Sequence, residues 1–248
     1  MKQDSKHPDV FDISKAVIEL LPRELRDQIY TYVIGVSRGR TTICDGKLPH
    51  YLRSICNTMQ SHHSFWNPIS LHNYIDPSRV DKRMALEIVE NYYATTTFYY
   101  DYHELYLMHK FLTVDCFGLN LQPADFVRSI EIVLDEAYKC RCNAKALLFH
   151  KLLPEQDCSP ETAIQECFYQ LFRLKANFVR IKVILYDVRG LRNVKSQQEL
   201  LMILHPILCE LDRKGHHVVL EIFSAWGSEW SLEGFSEMSL EHLLQITR

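Results

Sequence analysis

Apolar residues recur at every fourth position near the start of the chain. Leu21, Leu25, Ile29 and Val33 fall on one line of a helix, with Tyr32 beside them. Pro22 marks the beginning: it has no amide proton to leave unpaired, and its φ is preset for a first helical turn. Glu24 puts a carboxylate where the helix dipole favours it, and Gly35 is a stop signal. The pattern predicts a helix over about 20–34, preceded by a flexible N-terminus over 1–19.

The period then lapses. Segment 36–77 carries Asp45-Gly46, Pro49, Asn67-Pro68 and Asp76-Pro77, all turn or loop signals. It returns from about residue 79, where Val80, Met84, Ile88 and Tyr92 form one line and Ala85, Val89 and Tyr93 a second. Beyond that, β-branched and aromatic runs alternate with helical ones. Strands are expected near 95–100, 127–134, 179–187 and 217–224. Helices are expected near 102–113, 160–176, 197–214 and 238–246. Ser196 with Glu199 reads as a capping box for the third of these, and Pro206 as a kink or break within it.

Three of the strands share a pattern. Ile130-Glu131-Ile132-Val133-Leu134 matches Ile181-Lys182-Val183-Ile184-Leu185 and, more loosely, Leu220-Glu221-Ile222-Phe223. Strand–helix–strand units of this length favour parallel crossovers. The fold class is therefore α+β or α/β. An N-terminal helical module over 20–94, with an irregular insertion at 36–77, precedes degenerate β/α repeats over 95–248. These form either a mostly parallel sheet or a short irregular solenoid of leucine-rich-repeat type. Ile132, Val183 and Ile222 are expected in its core.

Two blocks resemble a known family. Leu21-Pro22-Arg23-Glu24-Leu25, followed by Ile29 and Val33, resembles the start of an F-box, and specifically of the F-box-like proteins expanded in filamentous fungi. Val80 to Glu87, then Tyr93-Ala94-Thr95-Thr96-Thr97-Phe98, resembles the second block of those proteins. Together the blocks cover about 35 residues. The resemblance implies a non-enzymatic substrate-recognition subunit of a cullin-type ubiquitin ligase. In that role the N-terminal helix docks a Skp-type adaptor through Leu21, Pro22, Leu25, Ile29 and Val33, and the β/α domain holds a protein substrate. Two other classes stay open: an F-box-derived interaction or structural protein with no ligase role, and an unrecognised enzyme.

Composition narrows this only a little. The chain has 248 residues, 47% of them apolar, and a net charge of −3, which makes no broad electrostatic case for nucleic acid. Neither a secretory leader nor a run long enough to span a bilayer is expected. Eight cysteines without a leader read as reduced thiols of the cytoplasm or nucleus. Gly39 to Leu48 is only a faint imitation of a phosphate loop, with six residues between its glycines, and reads as a surface turn. Cys140, Cys142, His150 and Cys158 are the one metal-like set, but the C-x-C spacing is poor for zinc, and no cofactor or metal is expected. Substrate contacts are expected at the carboxyl ends of the parallel strands, from Tyr138, Arg189, Trp226 and Trp230. The surrounding segment 215–248 holds five glutamates against one arginine, which suggests a basic substrate.

Overall fold

The three strands with the shared pattern lie side by side and in register. In the computed structural model, Ile130, Ile132 and Leu134 stand opposite Ile181, Val183 and Leu185, which in turn face Val218, Leu220 and Ile222. The structure describes residues 9–34, 40–44, 61–64, 67–68, 71–76, 78–135, 160–186, 194–223 and 229–246. Among them run strands β1 (Arg40–Cys44), β2 (Ser61–Ser64), β3 (Asn67–Pro68), β4 (Thr97–Asp101), β5 (Ser129–Asp135), β6 (Arg180–Tyr186), β7 (His217–Phe223) and β8 (Glu229–Leu232). They form one sheet in the order β3-β2-β1-β4-β5-β6-β7-β8. The six from β2 to β7 are parallel, and β3 and β8 add antiparallel edges.

The protein is thus mixed α/β with a mostly parallel sheet. Strand order reverses at β1, which lies between β2 and β4. A solenoid stacking one strand per repeat has no such reversal, so the sheet alternative stands and the solenoid does not. Segment 36–77 supplies three of the strands despite its loop signals. The stretch read as a surface turn contains β1, whose Thr41-Thr42-Ile43 is β-branched throughout and suits a pleated neighbour on each side. Because β1 pairs with β4, the sheet draws strands from both sides of residue 94.

Helices are α1 (Val10–Leu20), α2 (Arg23–Val33), α3 (His72–Ile75), α4 (Lys82–Thr95), α5 (Met108–Thr113), α6 (Pro123–Phe126), α7 (Pro160–Tyr169), α8 (Val194–Arg213) and α9 (Leu240–Ile246). Helix α1 occupies the N-terminus that was expected to be flexible. Helix α8 starts at Val194, before the expected capping box, and runs unbroken through Pro206. That proline is exposed, so the carbonyl it deprives of a donor lies on the solvent side.

One face of the sheet builds the main core. Phe98, Tyr100, Ile132, Val183 and Leu220 are fully buried there against Ile88, Tyr92 and Tyr93 of α4, Phe111 of α5 and Leu204 of α8. Each such side chain contributes about 1.5–3 kcal/mol relative to exposure. The opposite face carries the charges that punctuate the strand pattern. Lys182 Nζ meets Glu221 Oε1 at 2.7 Å, and Glu131 is the in-register neighbour of Lys182. Val133, Ile184 and Val219 are buried on that second face, outside the main core.

Candidate docking surface on the first two helices

Helix α4 has two jobs. Ala85, Ile88, Val89, Tyr92 and Tyr93 bury its apolar side towards the sheet. Glu87, Glu90 and Asn91 turn another flank towards α2. Asp81 caps the helix by accepting from the Arg83 amide at 2.8 Å. The Asp81 amide in turn donates to Ser14 Oγ of α1 at 2.8 Å, which ties α1 to the start of α4.

The α2–α4 seam is polar and centred on Glu87, only 9% exposed. Arg26 grips it with both arms of the guanidinium: Nε donates to Oε2 at 2.8 Å and Nη2 to Oε1 at 2.9 Å. Such paired, charge-assisted bonds are the strong kind. The hydroxyl of Tyr30, whose side chain is completely buried, donates to Oε2 at 2.8 Å. Arg23 bridges Asp27 at 2.8 Å and Glu90 at 3.1 Å. The remaining arm of Arg26 donates to the carbonyls of Leu21 and Ile18, at the end of α1. Those carbonyls have no partner inside a helix, and a cation there is favoured by the helix dipole. One arginine therefore holds three helices together. Burial opposes ionisation of Glu87, yet the bonds from Arg26 and Tyr30 hold its carboxyl below the ordinary value of 4.5. Burial, and then the bond to Glu87, push the Tyr30 phenol well up.

With 100° per residue, Arg23, Arg26 and Tyr30 share one side of α2, and Leu25, Ile29 and Tyr32 lie on another, with Leu21 just before the helix. The second side is only partly covered. Leu25 is 46% exposed and Tyr32 89% exposed, while Leu21 and Ile29 are half-buried and Pro22 is exposed. Pro22 is the residue before the first helical turn, one position earlier than the sequence suggests, with φ −58° and ψ 153°. Val33 ends the helix.

Helix α1 carries exposed apolar residues of its own. Val10, Ile13, Val17 and Leu20 follow one another at spacings of three and four residues. Val10 and Ile13 are about half exposed, and Leu20 is 78% exposed. Only Ser14 and Ile18 of this helix are buried. Helix α2 thus turns polar groups inward and leaves apolar groups outward, and α1 leaves most of its apolar residues outward. A patch of this kind on a protein surface marks an interaction site.

Of the expected substrate residues, Tyr138, Arg189 and Trp226 lie outside the described residues. So do Cys140, Cys142, His150 and Cys158. Trp230 sits on β8 opposite Ile222 and is 49% exposed, at the edge of the sheet rather than on a strand-end loop. Among the described residues no group of three or more His, Cys, Asp or Glu is placed to hold a metal, and no helix is long and apolar enough to cross a membrane. Among the described residues, the nearest approach to a catalytic pair is Cys209 with His205, at 3.4 Å. The thiol donates to the Phe235 carbonyl at 2.9 Å and burial pushes its pKa up, so it stays protonated and fastens the turn after β8 to α8. No family model, curated protein or solved structure matches this chain.

Sequence reasoning missed Arg26, Tyr30 and Glu87. The available signal was Glu87 itself, a carboxylate on the flank of α4 beside its apolar lines, with Arg23, Arg26 and Tyr30 recurring on one side of α2.

Proposed function

We propose that the protein is a non-enzymatic adaptor of F-box type, in which α1 and α2 dock a Skp-type subunit of a cullin ubiquitin ligase and the α/β sheet domain receives a protein substrate. The observation that carries the adaptor half is the outward apolar side of α2. With its polar side bonded inward to Glu87, α2 leaves Leu25 46% exposed and Leu21 and Ile29 only half-buried. Leu25 and Ile29 on the helix, with Leu21 just before it, offer apolar anchors of the kind an amphipathic helix lays into a partner's groove. The resemblance of the Leu21-to-Val33 block to an F-box names the partner. Val10, Ile13 and Leu20 of α1 are further exposed apolar residues, outside those implied by that resemblance.

Co-purification of the full chain with a Skp-type adaptor tests the reading. Wild-type protein forms a stoichiometric complex, and Leu25→Asp abolishes it while the circular dichroism spectrum stays unchanged. If the wild-type chain forms no complex, the adaptor role fails; if Leu25→Asp binds as tightly as wild type, this surface is not the interface.

A further inference from the structure

We infer that the rim of the sheet where β5, β6 and β7 begin binds an acidic segment of a partner protein, with one apolar side chain of that segment seated on Phe178. The residues leading into these strands, 123–128, 173–180 and 212–217, carry six bases, Arg128, Arg173, Lys175, Arg180, Arg213 and Lys214, against Asp125 and Asp212; from beyond β8, Glu233 reaches His217 Nε2 at 3.5 Å. In a chain of net charge −3 this is a strong local reversal of sign. The connections are contiguous. The Arg180 amide donates to the Arg128 carbonyl at 2.8 Å, the His217 amide donates to the Val179 carbonyl at 2.9 Å, and Gly215 lies against the Asn177 carbonyl.

Both acids are already engaged. Asp125 pairs with Lys175 at 3.0 Å, and Asp212 accepts from the Ser236 amide at 2.8 Å. Arg213 pairs with Glu210. Arg128, Arg173, Arg180 and Lys214 are all exposed and have no carboxylate partner among the described residues. Arg128 donates only to nearby backbone carbonyls, and Arg173 to Gln170. Guanidinium forks in this state match carboxylates well.

An apolar feature sits among these charges. Phe178 is 59% exposed, and its ring stacks on His217 with centroids 6.0 Å apart and planes 12° apart, so one side is backed and the other open. Close by, Lys214 Nζ stands 4.6 Å over the Phe172 ring. The bases are spread over three connections rather than converging on a point, which fits an extended polyanion better than a single small anion. A single open ring also favours a peptide over single-stranded nucleic acid, whose binders stack successive bases on several aromatic side chains. This inference deepens the substrate half of the reading above, replacing the basic substrate that the glutamates of 215–248 suggest with an acidic one at this rim; it is independent of the adaptor half, so it is tested on the full chain alone.

The probe is a short labelled peptide of Asp and Glu with one central leucine, followed by fluorescence anisotropy. Wild-type protein binds it, and added salt weakens binding by screening the charges. Reversing Arg128, Arg180 and Lys214 together to Glu weakens binding by about tenfold or more, and Phe178→Ala by about fivefold. These side chains are exposed, so melting temperatures stay near wild type; should the triple variant not fold, Lys214→Glu and Phe178→Ala are read singly. The proposal is overturned if wild type does not bind the peptide, if the variants bind it equally well, if an Asn/Gln analogue binds as tightly, or if oligothymidylate binds better than the peptide.

Discussion

The sheet from β4 to β7 and the seam between α2 and α4 bury side chains by opposite rules. In the sheet, β-branched and aromatic residues go inward and the charges that interrupt them face the other way. In the seam, two arginines, two glutamates and a tyrosine go inward, and leucine and isoleucine face out. Burial in the sheet is non-directional and proportional to area. Burial in the seam needs every donor matched to an acceptor, because an unpaired charge there has no water to turn to. The sheet therefore supplies stability, whereas the seam sets the orientation of α2 and frees its apolar side.

The largest effect expected from breaking this contrast lies in the sheet. Ile132 is fully buried and in register with Val183. Ile132→Ala leaves a cavity and lowers unfolding free energy by about 2–5 kcal/mol. Urea denaturation measures it, with an unchanged m-value showing that the unfolding transition is otherwise the same.

The seam should answer to a different substitution. Glu87→Gln keeps the shape, removes the charge and turns one of the two acceptor oxygens into a donor, so the three bonds from Arg26 and Tyr30 can no longer all form. The expected cost is about 2 kcal/mol. Arg23 is more open to solvent, and its replacement by Met should cost less, about 0.5 kcal/mol. Chemical denaturation of both variants at pH 7 checks the order.

Acid titration sharpens the same point. Glu87 is held below 4.5 in the folded state, so more protons bind to the unfolded chain as pH falls. Its contribution to stability is complete above its unfolded value and is lost as pH drops through the lower, folded value. Wild type should therefore lose stability on acidification below about pH 4.5 more steeply than Glu87→Gln does. Equal slopes, measured by thermal melts in matched buffers, would remove Glu87 from the acid response.

The contrast also explains what the sequence makes legible. Strands β5, β6 and β7 came within two residues of their observed bounds, because an apolar run of five or more with one charge is a local signal and every copy points to the same core. Strand β1 is only five residues long and lies among the turn signals of a segment read as loop; its strand character depends on neighbours β2 and β4, which are distant in sequence. Helix α1 was missed because only Ser14 and Ile18 are buried, so no stripe facing its own core stands out. The apolar line of α2 reads as a docking surface, and in the structure Leu25 is exposed while Leu21 and Ile29 are half-buried. What held that line outward was not legible. Arg26 and Glu87 are sixty-one residues apart, and each alone looks like an ordinary solvated charge. Trp230 shows the reverse limit: its place on an edge strand opposite Ile222 comes from antiparallel pairing that the preceding Gly227 and Ser228 do not announce.

The smallest expected effect is the most diagnostic. Leu25 is a leucine on an amphipathic helix, and in the sheet a comparable residue would be indispensable. On α2 it is 46% exposed, on a side that makes no bond to Glu87. Leu25→Asp removes apolar area already in contact with water and adds a charge that is free to hydrate. It should shift unfolding free energy by no more than about 0.5 kcal/mol, in the range of ordinary surface substitutions. Leu25→Asp beside Ile132→Ala, in the same denaturation series, thus compares two aliphatic residues with opposite fates. A loss at Leu25 as large as at Ile132 would mean that the α2 stripe packs on the chain itself, and the outward-facing surface on which the adaptor reading rests would be gone.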